Sequence, residues 1–284
     1  MYISDCLKHA RRLLSGCKVA QLEAEILLSF VIKKSLVWIK LFDNYQLNEM
    51  HINLFNKLLN RRIYGEPIAY IIKNKEFWSL SFYISSLVFI PRPETELLVE
   101  KVIDFSCKKN CILDLGSGCG TISLSLAHDL PNCNILGVDN NDQAIFVSRK
   151  NLNRFKLKNV IFKKSNWFSK IKKKFHLIVS NPPYLSKIEY YTLYQGKFFE
   201  PYTAFVSGKN GISDIEHIIF YARKYLFNTG WLFIEHGWQQ KNIVQQLFKI
   251  NNYYNIQTYQ DYFQYDRFTI GQYICENYKT NKYW

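Results

Sequence analysis

The first part of the chain carries apolar side chains at spacings of three and four, which is the period of an α-helix. These positions fall into two stripes, one of Leu47, Met50, Leu54, Leu58 and Leu59 and a second that includes Leu27, Phe30 and Val31. The pattern predicts helices from residue 4 to about residue 62. Gly65 and Pro67 then interrupt it, because both residue types disfavour a continuing helix.

A different period follows the helical region. Apolar or aromatic residues at 78, 80, 82 and 84 alternate with Ser79, Ser81 and Tyr83. A period of two is typical of a strand with one exposed face. We therefore predict a β-hairpin at this point, between a small helical domain and the rest of the chain.

From residue 94 onward, helical and strand patterns alternate. Helices are predicted at 94–105, 213–226 and 239–248, and strands near 112, 135, 160 and 177 and at 231–235. Near the end, Phe263, Tyr265, Phe268, Ile270 and Tyr273 are interleaved with polar residues, which predicts two closing strands. Such alternation indicates an α/β sheet with helices on both faces.

Composition narrows the class of protein. A chain of 284 residues is long enough for one large and one small domain. Its seven cysteines form no regular framework, so free thiols in a reducing cytosol are expected, including at Cys107 and Cys111. The sequence contains no recognisable set of metal ligands, no apolar run long enough to span a membrane and no apolar signal region. These features predict a cytoplasmic protein without a metal and without membrane attachment.

The chain is basic, with a net charge of +14 and a pI near 9.3. A basic balance often indicates a nucleic acid or an acidic partner. Here, however, Lys, Asn, Ile, Phe and Tyr are abundant along the whole chain, which indicates a general compositional bias. The longest basic run, Lys172-Lys173-Lys174, favours a solvated strand edge over a binding patch. The charge permits contact with RNA but does not require it.

A glycine-rich turn follows the first strand of the α/β region. The strand Ile112-Leu113-Asp114-Leu115 leads into Gly116-Ser117-Gly118-Cys119-Gly120, and a helical pattern comes next. The following strand ends in Asp139, 19 residues past Gly120, where a doubly wound fold places a carboxylate that accepts ribose hydroxyls. The pattern G-x-G-x-G differs from the dinucleotide pattern G-x-G-x-x-G and fits a nucleoside with an amino-acid tail better than a pyrophosphate.

A second bend follows the strand near residue 177. Two prolines in Asn181-Pro182-Pro183-Tyr184 end this strand, because they lack N–H donors and fix φ. The bend presents an amide and an aromatic ring, and an amide offers both an acceptor and a donor to another planar NH2 group. On these four residues alone, a polar loop with a turn-forming proline pair is an equal alternative.

Taken together, these residues resemble class I S-adenosylmethionine-dependent methyltransferases of amino or amide nitrogens, and within them the release factor glutamine methyltransferases (the PrmC or HemK family). The resemblance extends to segments on both sides of the core, namely 62–71, 91–99, Glu200-Pro201, Glu235-His236-Gly237 and Asp266-Arg267. Ser117 and Cys119 depart from the residues common in the family, and we interpret Cys119 as a packing variant. Residues 205–208 also depart, which leaves the shape of that loop open.

The resemblance implies a domain order and an activity. A helical N-terminal domain at 1–75 would recognise the substrate, a hairpin and linker would occupy 76–93, and a seven-stranded, doubly wound, Rossmann-like methyltransferase domain would span 94–284. The implied reaction transfers a methyl group from S-adenosyl-L-methionine to the side-chain nitrogen (N5) of the glutamine in the Gly-Gly-Gln loop of peptide chain release factors. A monomer is expected.

It also implies roles for individual residues. Cofactor contacts are expected from Gly116, Ser117, Gly118, Cys119, Gly120, Asp139, Trp167 and Asn181. Asn181 and the backbone carbonyl of Pro182 would accept the two N–H groups of the target amide, while Tyr184 packs on its plane. Pro183 completes the substrate-binding bend. A tryptophan after a strand is commonly a core residue, and only the resemblance assigns Trp167 to the adenine side.

Two alternatives stay open at this point. An N6-adenine methyltransferase acting on DNA or RNA shares the amino-group chemistry and suits the basic charge, but it should carry a target-recognition domain or a basic aromatic groove. A non-catalytic cofactor-binding or scaffold protein derived from such enzymes should have lost Asn181 or a neighbouring proline, and both are present.

Overall fold

The computed structural model of the protein describes residues 1–107, 110–194, 199–208 and 210–275. The chain divides into two compact units, Met1–Asn74 and Lys75–Trp284. The division falls one residue before the predicted boundary, at the start of the hairpin.

The first unit is helical. Its helices are α1 (Ile3–Leu13), α2 (Ala20–Ile32), α3 (Leu36–Leu41), α4 (Glu49–Ile63) and α5 (Ile68–Ile72). Asn48 caps α4 by accepting a hydrogen bond from the backbone N–H of His51 at 2.8 Å. Ile3, Leu27 and Phe55 are among the fully buried residues of its core.

Three apolar residues of the predicted stripes lie in helices, as expected, but are exposed. Met50 is 70% exposed, and Leu54 and Phe30 also lie on exposed faces. The buried face of α4 is instead formed by Phe55, Leu58 and Leu59. Phe55 at the next position is fully buried, so the inward face of α4 is turned away from Leu54.

The hairpin consists of β1 (Asn74–Phe77) and β2 (Leu80–Tyr83). The sequence predicted a strand that begins at Trp78, whereas the structure places Trp78 and Ser79 in the turn, with φ of 52° and 55°. Positive φ at both central residues gives a turn whose twist matches that of the flanking strands. The rings of Phe77 and Phe82 are both buried and pack edge to face, which fixes the hairpin.

The second unit contains a seven-stranded sheet in the order β5-β4-β3-β6-β7-β9-β8. Its elements are α6 (Thr95–Asp104), β3 (Cys111–Leu115), α7 (Thr121–Asp129), β4 (Asn134–Asp139), α8 (Asp142–Phe155), β5 (Val160–Lys164), β6 (Phe175–Ser180), α9 (Lys187–Tyr194), α10 (Ser213–Tyr225), β7 (Leu226–Glu235), α11 (Lys241–Ile250), β8 (Tyr253–Gln260) and β9 (Asp266–Tyr273). Strands β3 to β7 pair in parallel, and β9 pairs antiparallel with both β7 and β8. The predicted α/β fold with seven strands is confirmed.

The closing strands differ from the prediction. Phe263 and Tyr265 were expected in a strand, but they lie in the loop between β8 and β9, and Phe263 is 77% exposed. The carboxylate of Asp261 accepts hydrogen bonds from the backbone N–H groups of both residues and from Arg267, and this holds the loop in a turn. The first closing strand therefore lies earlier in the chain, at 253–260. Helix α9 was not predicted at all.

Chain order reverses beside β3, which lies between β4 and β6. Leu115 at the end of β3 pairs with Val138 of β4 and with Ser180 of β6. The glycine turn, Asp139 and the Asn-Pro-Pro-Tyr bend therefore leave the sheet side by side. Ligands of doubly wound folds bind at this switch point.

Candidate active site

The glycine turn is anchored on β4. The backbone N–H groups of Gly116 and Ser117 both donate to the carbonyl of Val138 at 2.9 Å. Gly118 has φ of 54°, and a Cβ built there meets no atom within 4 Å, so its side faces open space in the cavity. A glycine at this position avoids the strain of a left-handed conformation and leaves room for a ligand against the backbone.

Gly120, which was expected among the cofactor contacts, does not line the cavity. It lies at the N-terminus of α7. A Cβ at Gly120 would stand 2.9 Å from the ring of Phe162 and 3.0 Å from Leu124. The structure thus explains this glycine by packing and does not place it in the cavity wall, and its cofactor contact stays a prediction.

Asp139 lies at the end of β4 and lines the cavity. One carboxylate oxygen accepts from the N–H of Gly118 and the other from the N–H of Asn141, both at 2.9 Å. Burial raises the pKa of Asp139, and these backbone donors act in the opposite direction. The carboxylate is fixed by backbone donors and keeps further acceptor capacity toward the cavity.

The sequence pattern places Asp114 in the strand before the glycine turn and predicts no role for it. It is fully buried, and its Oδ2 accepts from the hydroxyl of Ser123 at 2.6 Å and from the Ser123 N–H at 3.1 Å. Its Oδ1 has no hydrogen-bond partner among the described residues, and burial raises the pKa of Asp114 to about 7. Asp114 therefore ties β3 to the first turn of α7, behind the glycine turn.

Trp167 lines the cavity next to the glycine turn. Its indole N–H donates to Asp214 at 3.2 Å, and its backbone has φ of 44°. A Cβ at Gly116 would lie 3.4 Å from the indole ring. Cys119 also lines the cavity, and burial raises the pKa of its thiol to about 12, which keeps it protonated. A protonated, buried thiol suits packing, not nucleophilic attack.

The Asn-Pro-Pro-Tyr bend begins directly after β6. The hydroxyl of Ser180 donates to the carbonyl of Leu115 at 2.7 Å and ties the two strand ends together. Asn181, Pro182, Pro183 and Tyr184 all line the cavity. The carbonyl of Tyr184 accepts from the side-chain NH2 of Gln240 at 2.9 Å, which holds the far end of the bend.

Two buried groups, for which the sequence pattern predicted no role, stand behind Asn181. The NH2 of Asn181 donates to the hydroxyl of Thr95 at 3.3 Å. The second group is the carboxyl of Glu235 at the end of β7, and the side chains of Thr95 and Asn181 lower its pKa. Burial nevertheless raises the pKa of Glu235 to about 7. Both residues belong to segments that resemble the family, and this was the available signal.

The remaining wall comes from segments before α6 and after α9. Glu200 accepts from the backbone N–H of Ile90 at 2.9 Å and from Arg92 at 2.6 Å. The rings of Phe89 and Phe205 pack edge to face, with centroids 5.3 Å apart. These contacts join the Pro91 and Glu200 segments beside the cavity.

The cavity has a volume of about 250 Å³. It brings together all of the residues predicted to bind cofactor or substrate except Gly120. Its wall combines apolar surface with a carboxylate, amides and backbone groups, a combination that is typical of small-molecule sites.

Family models match both parts of the chain. The PrmC N-terminal domain matches residues 5–72, and the methyltransferase small domain matches residues 93–203. Among curated proteins, the release factor glutamine methyltransferase of Buchnera aphidicola subsp. Acyrthosiphon pisum is 49% identical, over 96% of this chain and 99% of its own length. The protein of the same name from Escherichia coli is 39% identical, over 94% of this chain and 97% of its own length.

Solved structures support the fold. A methyltransferase from Pyrococcus furiosus superimposes with a TM-score of 0.54 at 17% identity, covering 78% of this chain and 100% of that one. A 16S rRNA methyltransferase of T. thermophilus in complex with AdoMet and guanosine gives a TM-score of 0.52 at 18% identity, covering 70% of this chain and 49% of that one. Within the described residues, no helix is both long and apolar enough to cross a membrane.

Proposed function

The chain belongs to the family of release factor glutamine methyltransferases, and we propose on this basis that it methylates N5 of the glutamine in the Gly-Gly-Gln loop of peptide chain release factors. S-adenosyl-L-methionine is the proposed methyl donor. The names of the relatives and the match to the N-terminal family model give no support to the alternative of an N6-adenine methyltransferase.

One observation carries the proposal. Asn181 lies on the cavity wall with its NH2 group directed to Thr95. We infer that the carbonyl oxygen of the same amide, whose NH2 is engaged by Thr95, accepts from a donor in the cavity. A side-chain amide such as that of glutamine carries two N–H donors of this kind.

The residues of the cavity fit the proposed methyl donor. Gly118 leaves the backbone open on the cavity side, where a side chain would obstruct an amino-acid tail. The carboxylate of Asp139 is positioned by two backbone donors and retains lone pairs for ribose hydroxyls. Trp167 supplies a planar face for a base. A nucleoside with an amino-acid tail therefore has a partner for each of its parts.

Glutamine nitrogen is a poor nucleophile, because its lone pair is delocalised into the carbonyl. S-adenosylmethionine, when bound, supplies an electrophilic methyl group on a sulfonium. The protein positions the target amide: Asn181 Oδ1 accepts one N–H, and the carbonyl of Pro182 accepts the other. Two acceptors fix the orientation of the nitrogen and stabilise positive charge that develops on it.

The remaining steps need no strong base. Tyr184 lines the cavity beside Asn181, and its ring covers the plane of the target amide. Burial raises the pKa of Tyr184, so its hydroxyl stays protonated during the reaction. The methylated nitrogen becomes strongly acidic and loses its proton to water or to a nearby carbonyl.

The helical unit Met1–Asn74 is proposed to recognise the release factor. This role would explain why a family-specific domain precedes a methyltransferase fold that many enzymes share. A monomeric state and a cytoplasmic location stay predictions from the sequence.

Mass spectrometry of a purified release factor after incubation with the enzyme and S-adenosylmethionine tests the proposal. We expect a single methyl group on the glutamine of the Gly-Gly-Gln loop. The Asn181→Ala variant should lower turnover by about 100-fold or more, as removal of one oriented charge-stabilising group does, while calorimetric affinity for S-adenosylmethionine changes little. Near-normal turnover by this variant would mean that the bend has only a structural role.

The Asn181→Asp variant sharpens the test. It keeps an acceptor of the same shape, removes the NH2 donor and adds a charge close to the methyl donor. We expect partial activity, well above that of Asn181→Ala. A methyl group on another residue, or none with the unmodified enzyme, would contradict the proposed substrate.

A further inference from the structure

Glu235 is a buried carboxyl group to which the proposed reaction gives no task. It ends β7, and the register of β7 with β6 pairs Ile234 with Ser180, so Glu235 stands beside Asn181. Its Oε2 is buried without a hydrogen-bond partner in the part of the chain that the structure describes. A buried carboxylate oxygen left unpaired is costly, and a purely structural carboxylate should be satisfied. Glu200 in the same unit meets that expectation with partners from Ile90 and Arg92.

The contacts of Glu235 lead to the reactive face of the site. Burial raises the pKa of its carboxyl, while the side chains of Thr95 and Asn181 lower it, as donors directed to a carboxylate do. Thr95 is itself buried and accepts from the Asn181 NH2 at 3.3 Å, so its hydroxyl proton is free to point to Glu235. An ionised carboxylate accepts hydrogen bonds and cannot donate them. It therefore selects the orientation in which Asn181 presents its NH2 to the interior.

We propose that Glu235 is the positioning residue that holds the carbonyl oxygen of Asn181 toward the cavity, directly and through Thr95. The inference rests on the proposed function, in which that oxygen accepts an N–H of the target glutamine. Without the carboxylate, the two ends of the Asn181 amide are nearly equal in shape. In the reversed orientation, the NH2 of Asn181 would face the N–H of the target glutamine, and no hydrogen bond could form.

Protonation of Glu235 should weaken this control. A protonated carboxyl can donate a hydrogen bond, so it tolerates either orientation of the Asn181 amide. Burial raises the pKa of Glu235 to about 7, Arg267 lowers it, and Glu94 raises it. Tyr184 stays neutral, since burial raises its pKa, and neighbouring His236 is biased toward its neutral form by burial. Turnover should consequently rise with pH as Glu235 ionises near neutrality.

The central experiment compares the wild type with Glu235→Gln on a release factor across about two pH units on either side of neutrality. We expect kcat of the variant to fall about tenfold or more, the scale of one orienting hydrogen bond. The Kd for S-adenosylmethionine by calorimetry should stay unchanged. The rising limb of kcat near pH 7 should disappear in the variant. A variant that retains both kcat and the rising limb would overturn the positioning role.

Asp114→Asn is the matched control, because burial raises the pKa of Asp114 to about 7 as well. Asp114 supports the glycine turn, so its variant should weaken cofactor binding and keep the rising limb of kcat. Loss of the limb in Asp114→Asn and its retention in Glu235→Gln would assign the titration to Asp114 and overturn the proposal.

Two further measurements keep the test decisive if Glu235→Gln folds poorly. Thr95→Val removes the hydroxyl and should lower kcat, whereas Thr95→Ser should restore it. The side-chain NH2 resonances of Asn181, assigned by their loss in Asn181→Ala, should shift with a midpoint near pH 7 in the wild type. This NMR readout needs no substrate. If the Asn181 NH2 resonances shift with pH but the wild type does not methylate a release factor, the proposed function is wrong and the positioning role stands. If these resonances do not shift with pH, the positioning role is wrong.

Discussion

Removing the carboxylate of Asp139 should weaken binding of S-adenosylmethionine by about 1.5–3 kcal/mol, the range for hydrogen bonds to charged groups. That range corresponds to a Kd roughly tenfold to 150-fold higher. The structure supports the size of this effect, because both carboxylate oxygens are already aligned by the N–H groups of Gly118 and Asn141 at 2.9 Å. The carboxylate therefore loses little conformational entropy when a ribose hydroxyl binds to it.

Calorimetric titration of Asp139→Ala with S-adenosylmethionine measures the effect directly. Asp142→Ala is the matched control, since it removes the same charge three residues along the chain. Asp142 is 72% exposed at its side chain, pairs with Lys164 and does not line the cavity. Its variant should bind the methyl donor within about twofold of the wild type, because solvent and salt screen an exposed charge.

The two variants separate a specific contact from general electrostatics. Equal affinities for Asp139→Ala and Asp142→Ala would remove Asp139 from the binding site. Loss of affinity in both would indicate a long-range effect of charge on a cationic ligand. Asp139→Asn serves as a check on loop order, because it preserves shape but places an NH2 against one of the two backbone donors.

Two other outcomes are expected. Deleting residues 1–74 should leave S-adenosylmethionine binding nearly intact, while methylation of an intact release factor is lost. A cooperative melting transition would show that the truncated protein is folded. Normal methylation by this folded, truncated protein would refute the recognition role. Asp114 and Glu235 should contribute stability at low pH that is lost as pH rises to about 7, because the folded chain keeps protons on these two groups, with pKa values of about 7, that the unfolded chain releases. Thermal denaturation across this range should show that the free energy of unfolding changes less with pH in Glu235→Gln than in the wild type, by at most about 3 kcal/mol. The same pH dependence in both proteins would contradict the raised pKa of Glu235.

The sequence predicted the elements whose patterns are local. The parallel strands β3 to β6 are short apolar runs bounded by turn residues, and they form as expected. Errors arose where tertiary contacts override the pattern. The alternation that predicted a strand at Phe263 is broken by the carboxylate of Asp261, which accepts two backbone N–H groups and caps a turn. The exposed Met50 shows that helical spacing alone does not choose between two neighbouring apolar faces.

The same limit explains which parts of the site were found. Asp139 and Asn181 each follow an apolar strand directly, so chain-local patterns reveal them. Gly120 shares the pattern of the turn, but only the packed structure shows the ring of Phe162 against it. A glycine needed for packing and one needed for ligand access look alike in a sequence.

Glu235 could be assigned only after strand adjacency was known. It lies 54 residues after Asn181 along the chain, and although its segment resembles the family, nothing local shows that its side chain meets Asn181. The register of β6 with β7, which pairs Ser180 with Ile234, brings the two side chains together. In a parallel sheet, residues that follow neighbouring strands meet at the same edge. Glu235 ends the strand next to the one that leads to Asn181, and it is therefore a candidate for setting the orientation of the Asn181 side-chain amide. Because the pKa of Glu235 is raised to about 7, this effect can be measured near neutral pH.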